Sequence, residues 1–341
     1  MSGGFYMDYR ILGKTGLKVS SMGFGGIPIQ RIDAAGTRVL MERMVEAGIN
    51  YIDTARTYGQ SEAFLGEAVE GIRDKFILAT KAMSRDKASM VKDIEMSLEK
   101  LRTDYIDLYQ VHNPSLAQLE QVISEGGALE ALQEAKAAGK IGHLGLTAHS
   151  LEVFEKGLEL DWVETIMFPY NIVETHGEEL IKKCKERNVG FIVMKPLAGG
   201  AIDDATLAMR FVCANPDISV VIPGMADPKE LEQNLAAVND TTPLSAAELV
   251  KIDAMRKELG TQFCRRCGYC APCTVGIIIP NMFVFEGYLS RYGLGDWAKG
   301  RYNALEKTAS DCIECGVCET RCPYNLPIRD MLKRVAKNFG K

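Results

Sequence analysis

Short apolar runs alternate with amphipathic stretches along the first 260 residues of the chain. The apolar runs are β-branched or apolar almost throughout, as expected for parallel strands that are buried on both faces. Eight runs are strand candidates: Val19–Phe24, Asn50–Thr54, Phe76–Lys81, Ile106–His112, Ile141–Thr147, Thr165–Tyr170, Gly190–Lys195 and Ser219–Ile222. Between them, a helical period is seen in stretches such as Met90–Leu101, Leu129–Ala138 and Glu178–Arg187.

This alternation predicts the fold class of the longer part of the chain. Strand and helix in strict succession build a parallel α/β sheet, and eight repeats in about 250 residues favour a closed (β/α)8 barrel over residues 8–260. An open, doubly wound sheet is the alternative. A dinucleotide-binding sheet of that kind carries G-x-G-x-x-G after its first strand, and the Gly23–Gly26 segment (GFGG) does not have that spacing.

Beyond the barrel, eight of the ten cysteines form two tight runs. The first run is Cys264, Cys267, Cys270 and Cys273, and the second is Cys312, Cys315, Cys318 and Cys322, followed by Pro323. The second run reads C-x2-C-x2-C-x3-C-P, the spacing of a bacterial ferredoxin-type motif, in which the fourth cysteine ligates the other cluster. We therefore predict two [4Fe–4S] clusters, one held by the first three cysteines of run one with Cys322, the other by the first three of run two with Cys273.

Residues 261–341 are thus expected to form a separate domain. Two Zn(Cys)4 sites are the alternative, but zinc ribbons pair two C-x2-C hooks, one from each half, and two runs of four cysteines, one ending in C-P, fit clusters better. The spacer between the runs contains two helix candidates, Asn281–Arg291 and Trp297–Lys307, and Ile328–Asn338 is a third. These helices indicate an α-helical ferredoxin type. The other two cysteines, Cys184 and Cys213, lie in predicted barrel helices and are interpreted as packing residues.

Composition narrows the possible partners. The 341 residues carry a formal net charge of -5, which gives no support for nucleic-acid binding. No apolar run approaches the roughly 20 residues that span a bilayer, and the start has neither the basic nor the apolar region of a signal peptide. Without a secretion signal, we expect a cytoplasmic protein. The cytoplasm is reducing, so the protein's many cysteines indicate metal binding and not disulfides.

Candidate chemistry lies at the C-terminal ends of the barrel strands, where (β/α)8 enzymes place their active sites. Strand two ends in Asp53 with Tyr58 in the following loop, strand three ends in Lys81, and strand four ends in His112. An ammonium close to a phenol favours the phenolate and lowers the phenol pKa. A neutral histidine can orient or polarise a carbonyl. Singly, each residue has a structural interpretation; together they predict a catalytic site.

These residues lie in segments that resemble the aldo-keto reductase family. The segments are Tyr9–Ser20 (YRILGKTGLKVS), Gly48–Gly59 (GINYIDTARTYG), Ala79–Lys81 (ATK) and Leu101–His112 (LRTDYIDLYQVH). The resemblance covers about residues 8–240. It implies a barrel that binds NAD(H) or NADP(H) in extended form and acts on a small carbonyl or alcohol. It also implies that Tyr58 is the general acid, that Lys81 paired with Asp53 tunes it, and that His112 orients the carbonyl.

The cofactor positions that the resemblance implies are altered in this chain. After strand eight, Gly224 and Met225 replace a Lys-Ser pair and Glu230 replaces an Arg; a carboxylate there would repel a 2′-phosphate, so NAD is favoured over NADP. Thr147-Ala148 replaces Ser-Asn, Met167 a Gln and Met194 an aromatic residue. The cofactor contacts that we expect to remain are Thr147, Asn171, Pro196, Leu197, Gly199, Gly200, Gly224 and Asn234.

The two halves leave three functional hypotheses open. In the first, the barrel reduces a carbonyl with nicotinamide and the clusters are structural, sensing or electron-transferring. In the second, an external electron-transfer protein supplies single electrons through the clusters to the substrate or to a flavin, although no flavin motif is found. The third is a non-catalytic redox sensor or electron-transfer adaptor, against which the intact set of Asp53, Tyr58, Lys81 and His112 argues.

Overall fold

A computed structural model of the chain describes residues 7–340. Residues 1–6 lie outside the described residues. The prediction that the chain starts without a signal peptide falls partly on this segment. By its internal contacts the chain divides into two compact units. The first unit runs to Asn171 and also contains Thr175–Pro196 and Asp204–Pro243. The second unit contains Ile172–Glu174, Leu197–Asp203 and the chain from Leu244 onward, so two short segments from the barrel region of the sequence group with the cysteine-rich part.

The first unit is the predicted (β/α)8 barrel. It begins with an antiparallel hairpin of β1 (Tyr9–Ile11) and β2 (Lys18–Ser20), followed by eight parallel strands. The barrel strands are β3 (Phe24–Gly25), β4 (Tyr51–Asp53), β5 (Ile77–Ala82), β6 (Ile106–Val111), β7 (Ile141–Thr147), β8 (Thr165–Pro169), β9 (Gly190–Met194) and β10 (Val220–Ile222). They pair in sequence order, and single parallel bridges from Met22 to Val221 and from Gly25 to Gly224 close the ring.

The first predicted strand, Val19–Phe24, is wrong as a single element. Val19 pairs with Arg10 in the hairpin, and only Phe24 and Gly25 pair with β4 in the barrel. The side chain of Asn50 accepts from the Ser20 backbone N–H at 2.7 Å, which ends the hairpin strand at that point. Val19 is apolar because it is buried in the same cluster as Tyr51 and Leu108, so its hydrophobicity reflects packing rather than membership of the barrel sheet.

Nine helices of the described chain follow the strands of this unit. They are α1 (Ala34–Glu46), α2 (Ser61–Ala68), α3 (Lys87–Lys100), α4 (Leu116–Ile123), α5 (Ala128–Ala137), α6 (Leu151–Leu158), α7 (Glu178–Glu186), α8 (Ala205–Cys213) and α9 (Pro228–Asn239). Several begin at a side chain that accepts a backbone N–H of the first turn, as Asp33, Asp86 and Ser150 do. These caps fix where each strand-to-helix loop ends, and those loops carry the candidate site.

The second unit is mainly helical, as predicted. Its helices are α10 (Ala246–Gly260), α11 (Ile279–Ser290), α12 (Gly295–Asn303), α13 (Val317–Thr320) and α14 (Ile328–Asn338). Ser245 and Glu248 form a capping box at the start of α10. The helix predicted over Trp297–Lys307 ends at Asn303, because a new capping box at Thr308 and Asp311 starts a separate turn. The buried core of the second unit includes Met282, Phe283, Tyr302 and Leu332.

None of the helices in the described part of the chain combines the length and the apolar character that crossing a membrane requires.

Candidate functional site

Two adjacent barrel strands bring Asp53 and Lys81 together. Both side chains are almost fully buried, and the Lys81 ammonium donates to Asp53 Oδ1 and, at 2.8 Å, to the carbonyl oxygen of Thr54. Asp53 is the last residue of β4 and is paired with Ala79 of β5, so Lys81 lies two residues further along its strand. The parallel register therefore aims the lysine over the end of β4, and the two residues form the ion pair that the sequence predicts.

Gln110 completes this buried arrangement, and sequence reasoning missed it. It is fully buried on β6, is paired in register with Lys81, and donates from Nε2 to Asp53 Oδ2 at 2.9 Å. Both carboxylate oxygens of Asp53 thus accept a hydrogen bond. A signal was present in the sequence: Gln110 lies two residues before His112 and so faces the same side of the chain, and a glutamine buried inside a barrel strand needs a polar partner.

Burial works against the charged form of both members of the pair. It raises the pKa of Asp53 and lowers the pKa of Lys81, while their mutual attraction opposes each shift. A buried ion pair is retained only when further hydrogen bonds satisfy its remaining atoms. Gln110 and the Thr54 carbonyl supply those contacts, so they hold the ammonium and the carboxylate in place.

Tyr58 and His112 lie beside this pair. The Lys81 ammonium is 4.9 Å from the centroid of the Tyr58 ring, within the range of a cation–π interaction. The Tyr58 and His112 rings are 6.1 Å apart between centroids and nearly perpendicular. Both side chains are half-buried, whereas Asp53 and Lys81 are buried. The two rings that are proposed to meet a substrate are therefore the more accessible members of the set.

The loop that carries Tyr58 is held by a second buried carboxylate, which sequence reasoning also missed. Glu62 at the start of α2 is buried and forms an ion pair with Arg56, two residues before Tyr58. Glu62 Oε1 also accepts from Thr80 Oγ1 at 2.7 Å and from Ser97 Oγ at 2.9 Å. These contacts join the loop to β5 and α3. They restrict the backbone around Tyr58 without touching the phenol itself.

Arg85 supports the backbone at His112. Its guanidinium is buried and donates from Nη2 to the carbonyl oxygen of His112 at 2.7 Å. Burial lowers the pKa of Arg85 to about 10. The His112 backbone N–H in turn donates to the Ala82 carbonyl at 2.9 Å. The backbone of His112 is thus anchored at both its N–H and its carbonyl, just after β6.

Replacing Gln110 by Met is expected to weaken the site and the fold together. The variant keeps the side-chain length but removes a hydrogen bond to a buried charge, which typically contributes about 2 kcal/mol to the free energy of unfolding. The lost donor stabilised the carboxylate, so the pKa of Asp53 rises and the carboxylate becomes protonated at a higher pH. We expect the acid limb of the kcat–pH profile to move to higher pH and the urea midpoint to fall.

The control for Gln110 is Gln121→Met, which removes an exposed amide from α4. Urea unfolding followed by circular dichroism measures the free energy of unfolding. The kcat values measured from pH 5 to 9 locate the acid limb of the pH profile. A Gln110→Met variant with the unfolding free energy and pH profile of the Gln121→Met variant would show that the hydrogen bond to Asp53 does not support the pair.

Two of the five predicted cofactor contacts in the first unit, Thr147 and Asn171, make internal hydrogen bonds. Thr147 Oγ1 accepts from the Asn113 backbone N–H at 2.9 Å, and Asn171, which is buried, donates from Nδ2 to the Lys195 carbonyl at 3.0 Å. Gly224 bridges to Gly25 at the barrel closure, and Asn234 is buried on α9. Pro196 is the last residue of its segment of the first unit. The carbon that a side chain at Gly224 would add lies 2.7 Å from Pro28, so this position accommodates only glycine.

The other three predicted cofactor contacts, Leu197, Gly199 and Gly200, belong to the second unit. Arg291 donates from Nε to the Gly199 carbonyl at 2.9 Å. Gly199 and Gly200 both have left-handed backbone angles, φ 64° and 76°, which favour glycine. The sequence predicts cofactor contacts in this loop; the structure shows that one of its carbonyls already accepts from a residue after α11.

Glu230, predicted to disfavour a 2′-phosphate, is engaged at the start of α9. Its Oε2 accepts from the Ala226 backbone N–H at 2.7 Å, and both carboxylate oxygens lie 3.4 Å from Arg31 Nη2. Met167, at a position where an amide was expected, is buried in the barrel core, and Met194 packs against the same core. These two methionines therefore have a packing role.

Four cysteines line the first of two cavities in the second unit. Its cysteines are Cys264, Cys267, Cys270 and Cys322. Burial raises the pKa of the Cys264 thiol to about 11 and of the Cys270 thiol to about 12. Apolar side chains, among them Phe283 and Leu326, complete the lining. Three cysteines of run one and the last cysteine of run two therefore share one cavity.

The second cavity has the complementary lining. Its cysteines are Cys273, Cys312, Cys315 and Cys318. Thr274 Oγ1 lies 3.3 Å from Cys315 Sγ, and this contact lowers the pKa of the Cys315 thiol. The lining of each cavity matches one of the two predicted ligand sets. Ile279 lines both cavities, so they are neighbours across one side chain.

The cavity linings favour a cuboidal cluster over a single ion. A tetrahedral zinc site needs four sulfurs at about 2.3 Å from one point. Within residues 7–340, no group of three or more His, Cys, Asp or Glu side chains is arranged to hold a single metal ion. The cysteine sulfurs surround a space instead, as the thiolates of an iron–sulfur cluster do. Cys184 and Cys213 line neither cavity, and burial raises the pKa of both thiols.

Comparison with known proteins matches each part of the chain to a protein family. Residues 21–206 match the Aldo/keto reductase family, and residues 263–327 match the 4Fe-4S dicluster domain. The chain is 29% identical over 292 residues to an L-galactose dehydrogenase of Arabidopsis thaliana, covering 70% of this chain and 90% of the relative. It is 30% identical over 260 residues to the aldo-keto reductase YhdN of Bacillus subtilis, covering 70% and 76%.

Solved structures give the same result for the barrel. An aldo-keto reductase from Bacillus halodurans, in its holo form, superposes with a TM-score of 0.65 at 29% identity, over 73% of this chain and 96% of the other. A second similar structure is a putative aldo-keto reductase of Pseudomonas aeruginosa, with a TM-score of 0.62, 29% identity, and coverage of 68% and 94%.

Proposed function

The chain belongs to the aldo/keto reductase family of oxidoreductases and carries a 4Fe-4S dicluster domain, and from this premise we propose that its barrel reduces a small carbonyl compound or oxidises the corresponding alcohol. The observation that carries the proposal is the buried ion pair of Lys81 and Asp53, with its ammonium 4.9 Å from the centroid of the Tyr58 ring. A carbonyl compound bound at the end of β4 would meet Tyr58 and His112 together.

Tyr58 acts as the general acid in the direction of reduction. Its phenol gives a proton to the carbonyl oxygen as negative charge develops there, and the nearby Lys81 ammonium stabilises the phenolate that remains. In the direction of oxidation the phenolate takes the alcohol proton. Asp53 and Gln110 keep the ammonium under the ring and prevent it from moving toward the substrate. Proton transfer by a positioned side chain of this kind contributes about 100-fold to 10,000-fold in rate.

His112 orients the carbonyl. Its ring stands nearly perpendicular to that of Tyr58, so both can approach one oxygen atom from different directions. The backbone contacts of Arg85 and Ala82 fix the histidine at the end of β6. A nicotinamide cofactor, when bound, supplies the hydride that adds to the carbonyl carbon. The proton from Tyr58 and that hydride together balance the reduction of a carbonyl to an alcohol.

Family membership supports a nicotinamide cofactor, and we propose NAD in preference to NADP. The Glu230 carboxylate stands where the family resemblance expects an arginine for the 2′-phosphate. Its contacts with the Ala226 N–H and Arg31 hold it at the start of α9. A phosphate at this position would meet the Glu230 carboxylate and compete with it for Arg31, and like charges brought together at a binding site are unfavourable.

Glu230→Gln is expected to change the choice between the two cofactors. The amide oxygen still accepts from the Ala226 N–H, while the charge disappears and Arg31 becomes available for a phosphate. We expect the ratio of the dissociation constants for NADPH and NADH to fall about tenfold. Anaerobic calorimetric titration measures both constants. Glu232→Gln, an exposed position on the same helix, is the matched control; equal ratios in the two variants would contradict the assignment of Glu230.

We propose that the two cysteine cavities hold [4Fe–4S] clusters. Cys264, Cys267, Cys270 and Cys322 would hold cluster I, and Cys273, Cys312, Cys315 and Cys318 cluster II. Such clusters supply single-electron transfer. Apolar residues such as Phe283 and Leu326 line the cavity that would hold cluster I, and the Thr274 hydroxyl lies beside Cys315, a ligand that would hold cluster II. Hydrogen bonds to sulfur and solvent exposure both change a cluster's reduction potential.

A second candidate function is a ferredoxin-linked reductase in which electrons reach the barrel without NAD(P)H. It is favoured by Thr147 and Asn171, whose polar groups already make internal hydrogen bonds, and by the methionines at positions 167 and 194. In this case a flavin or the substrate itself would receive the electrons. The non-catalytic sensor is less well supported, because a scaffold has no need of a buried ion pair beneath a tyrosine.

One anaerobic experiment separates these functions. Iron-loaded protein is titrated with NADH and with NADPH while its iron–sulfur absorbance and EPR spectrum are recorded, and a panel of aldehydes and ketones is then tested for turnover. Binding with turnover and no bleaching supports the nicotinamide-dependent reductase. Bleaching by nicotinamide alone puts the clusters in its electron path. Absence of both nicotinamide binding and turnover of any carbonyl would refute the proposed function and favour the second candidate.

A further inference from the structure

Three side chains of the first unit are linked by hydrogen bonds at the mouth of the barrel. His149 Nδ1 lies 3.0 Å from Asn113 Oδ1, and the Lys195 ammonium lies 3.2 Å from His149 Nε2. We call these three residues the Lys195 network. Each lies within two positions of the end of its strand, β6, β7 or β9. Because parallel strands end at the same edge of a barrel, the network lies at the edge that carries Tyr58 and His112.

The donor and acceptor roles in the Lys195 network follow from the chemistry of its groups. A side-chain amide oxygen only accepts, so the ring proton of His149 is on Nδ1 and is donated to Asn113 Oδ1. Nε2 is then the acceptor for the Lys195 ammonium, which only donates. His149 is therefore neutral in this arrangement, and it holds the ammonium without cancelling its positive charge.

The backbone at both ends of the Lys195 network is strained. Lys195 has φ 57° and Asn113 has φ 46°, in the left-handed region that residues other than glycine rarely adopt. Thr147 Oγ1 accepts from the Asn113 N–H at 2.9 Å, and Asn171 Nδ2 donates to the Lys195 carbonyl at 3.0 Å. These bonds hold both residues in place. Strain that the surrounding structure maintains in this way is concentrated at ligand-binding positions.

We propose that the Lys195 ammonium binds a carboxylate of the substrate, so that the barrel acts on oxo acids. This inference rests on the proposed function, in which Tyr58 and His112 meet the carbonyl oxygen of the same molecule. Asn113 directly follows His112, so the network begins one residue from the carbonyl site. An ammonium carries three N–H groups and can donate to His149 and to a ligand at once. Lys195 is half-buried, where opposite charges attract more strongly than in open water.

The test compares acids with their neutral esters. The full chain, loaded with iron and handled anaerobically, reduces succinic semialdehyde, glutaric semialdehyde and the methyl ester of each with NADH, and kcat and KM are measured. Lys195→Gln removes the charge but keeps an N–H donor for His149, whereas Lys195→Arg keeps the charge. Lys92→Gln, which removes an exposed lysine of α3, is the matched control. Calorimetry gives the dissociation constant of NADH for every variant.

We expect Lys195→Gln to lower the ratio of kcat/KM for acid to that for ester by about tenfold or more, mainly through KM, because a hydrogen bond between charged groups is lost. Lys195→Arg should retain most of the preference for the acid, and NADH affinity should match that of Lys92→Gln. A wild type without this preference, or equal losses for acid and ester, would overturn the inference. So would an equally large loss of NADH affinity, which would place Lys195 at the cofactor.

A binding measurement without turnover separates this inference from the proposed function. Succinate and succinamide are each mixed with the protein, and ligand-observed NMR reports their binding. If wild type reduces no carbonyl compound but prefers succinate, and Lys195→Gln removes that preference, the proposed function fails while the carboxylate site stands. Absence of both turnover and preference would overturn both.

Discussion

Tyr58→Phe is expected to lower kcat for carbonyl reduction by about 100-fold or more while leaving the fold and the iron content unchanged. The substitution removes the one group that we propose as proton donor. It keeps the ring, so the contact with the Lys81 ammonium and the perpendicular arrangement with His112 remain possible. The loss should therefore appear in kcat, with a smaller change in KM.

The control is Tyr105→Phe. Tyr105 immediately precedes β6 and so lies at the opposite end of the barrel from Tyr58, and it is partly exposed. Both variants lose one hydroxyl group, and both should bind nicotinamide with wild-type affinity. A Tyr58→Phe variant that keeps the kcat of the Tyr105→Phe variant would exclude Tyr58 as the general acid, whatever the clusters do.

The second large effect concerns the crossed arrangement of cysteines. Cys322→Ala is expected to remove about half of the bound iron, since one of two four-iron clusters loses a ligand. The cavity linings predict that this is the cluster of Cys264, Cys267 and Cys270, although Cys322 follows Cys318 in the sequence. Iron and sulfide analysis gives the loss, and EPR of the reduced protein shows which signal remains.

Double variants distinguish crossed from local ligation. If Cys264 and Cys322 serve the same cluster, the variant with both replaced by Ala loses no more iron than either single variant. Replacing Cys312 together with Cys322 should then remove nearly all iron. Local ligation, in which each run holds its own cluster, predicts the reverse pattern. Cys184→Ala, a buried cysteine of α7 that lines neither cavity, should retain full iron and serves as control.

The barrel was predictable because its strands carry a local signal. From β4 to β10 the apolar runs of the sequence agree with the observed strands to within a residue at most ends. Since parallel strands end at the same edge of a barrel, the sequence also indicates that Asp53, Lys81 and His112 share that edge. The first strand failed because Val19 is buried by the hairpin and carries the same apolar character as a barrel residue.

Contacts that depend on distant residues were not predictable in this way. Gln110 and Glu62 are polar residues whose partners, Asp53 and Arg56, are identified only once the strands and loops are packed. The grouping of Leu197–Asp203 with the second unit has no local signal either. Its carbonyl contact with Arg291 joins residues that are 92 positions apart. Cysteine spacing, by contrast, predicted both cavity linings. A [4Fe–4S] cluster takes four cysteine ligands, and the motif shows which cysteine comes from the other run.

Two segments of the barrel region belong to the second unit, and this limits how the protein can be divided by protein engineering. Glu174 is fully buried. Arg266, which lies between Cys264 and Cys267 in the sequence, forms an ion pair with it, with 2.6 Å between Arg266 Nη2 and Glu174 Oε1. Expressing residues 1–260 alone would delete Arg266 and Arg291. That fragment would retain the Glu174 carboxylate without the Arg266 ion pair. It would also retain the Gly199 carbonyl without the hydrogen bond from Arg291. The reductase and the dicluster part are therefore not interchangeable modules, and a chimera that grafts one without the segments 172–174 and 197–203 should be unstable.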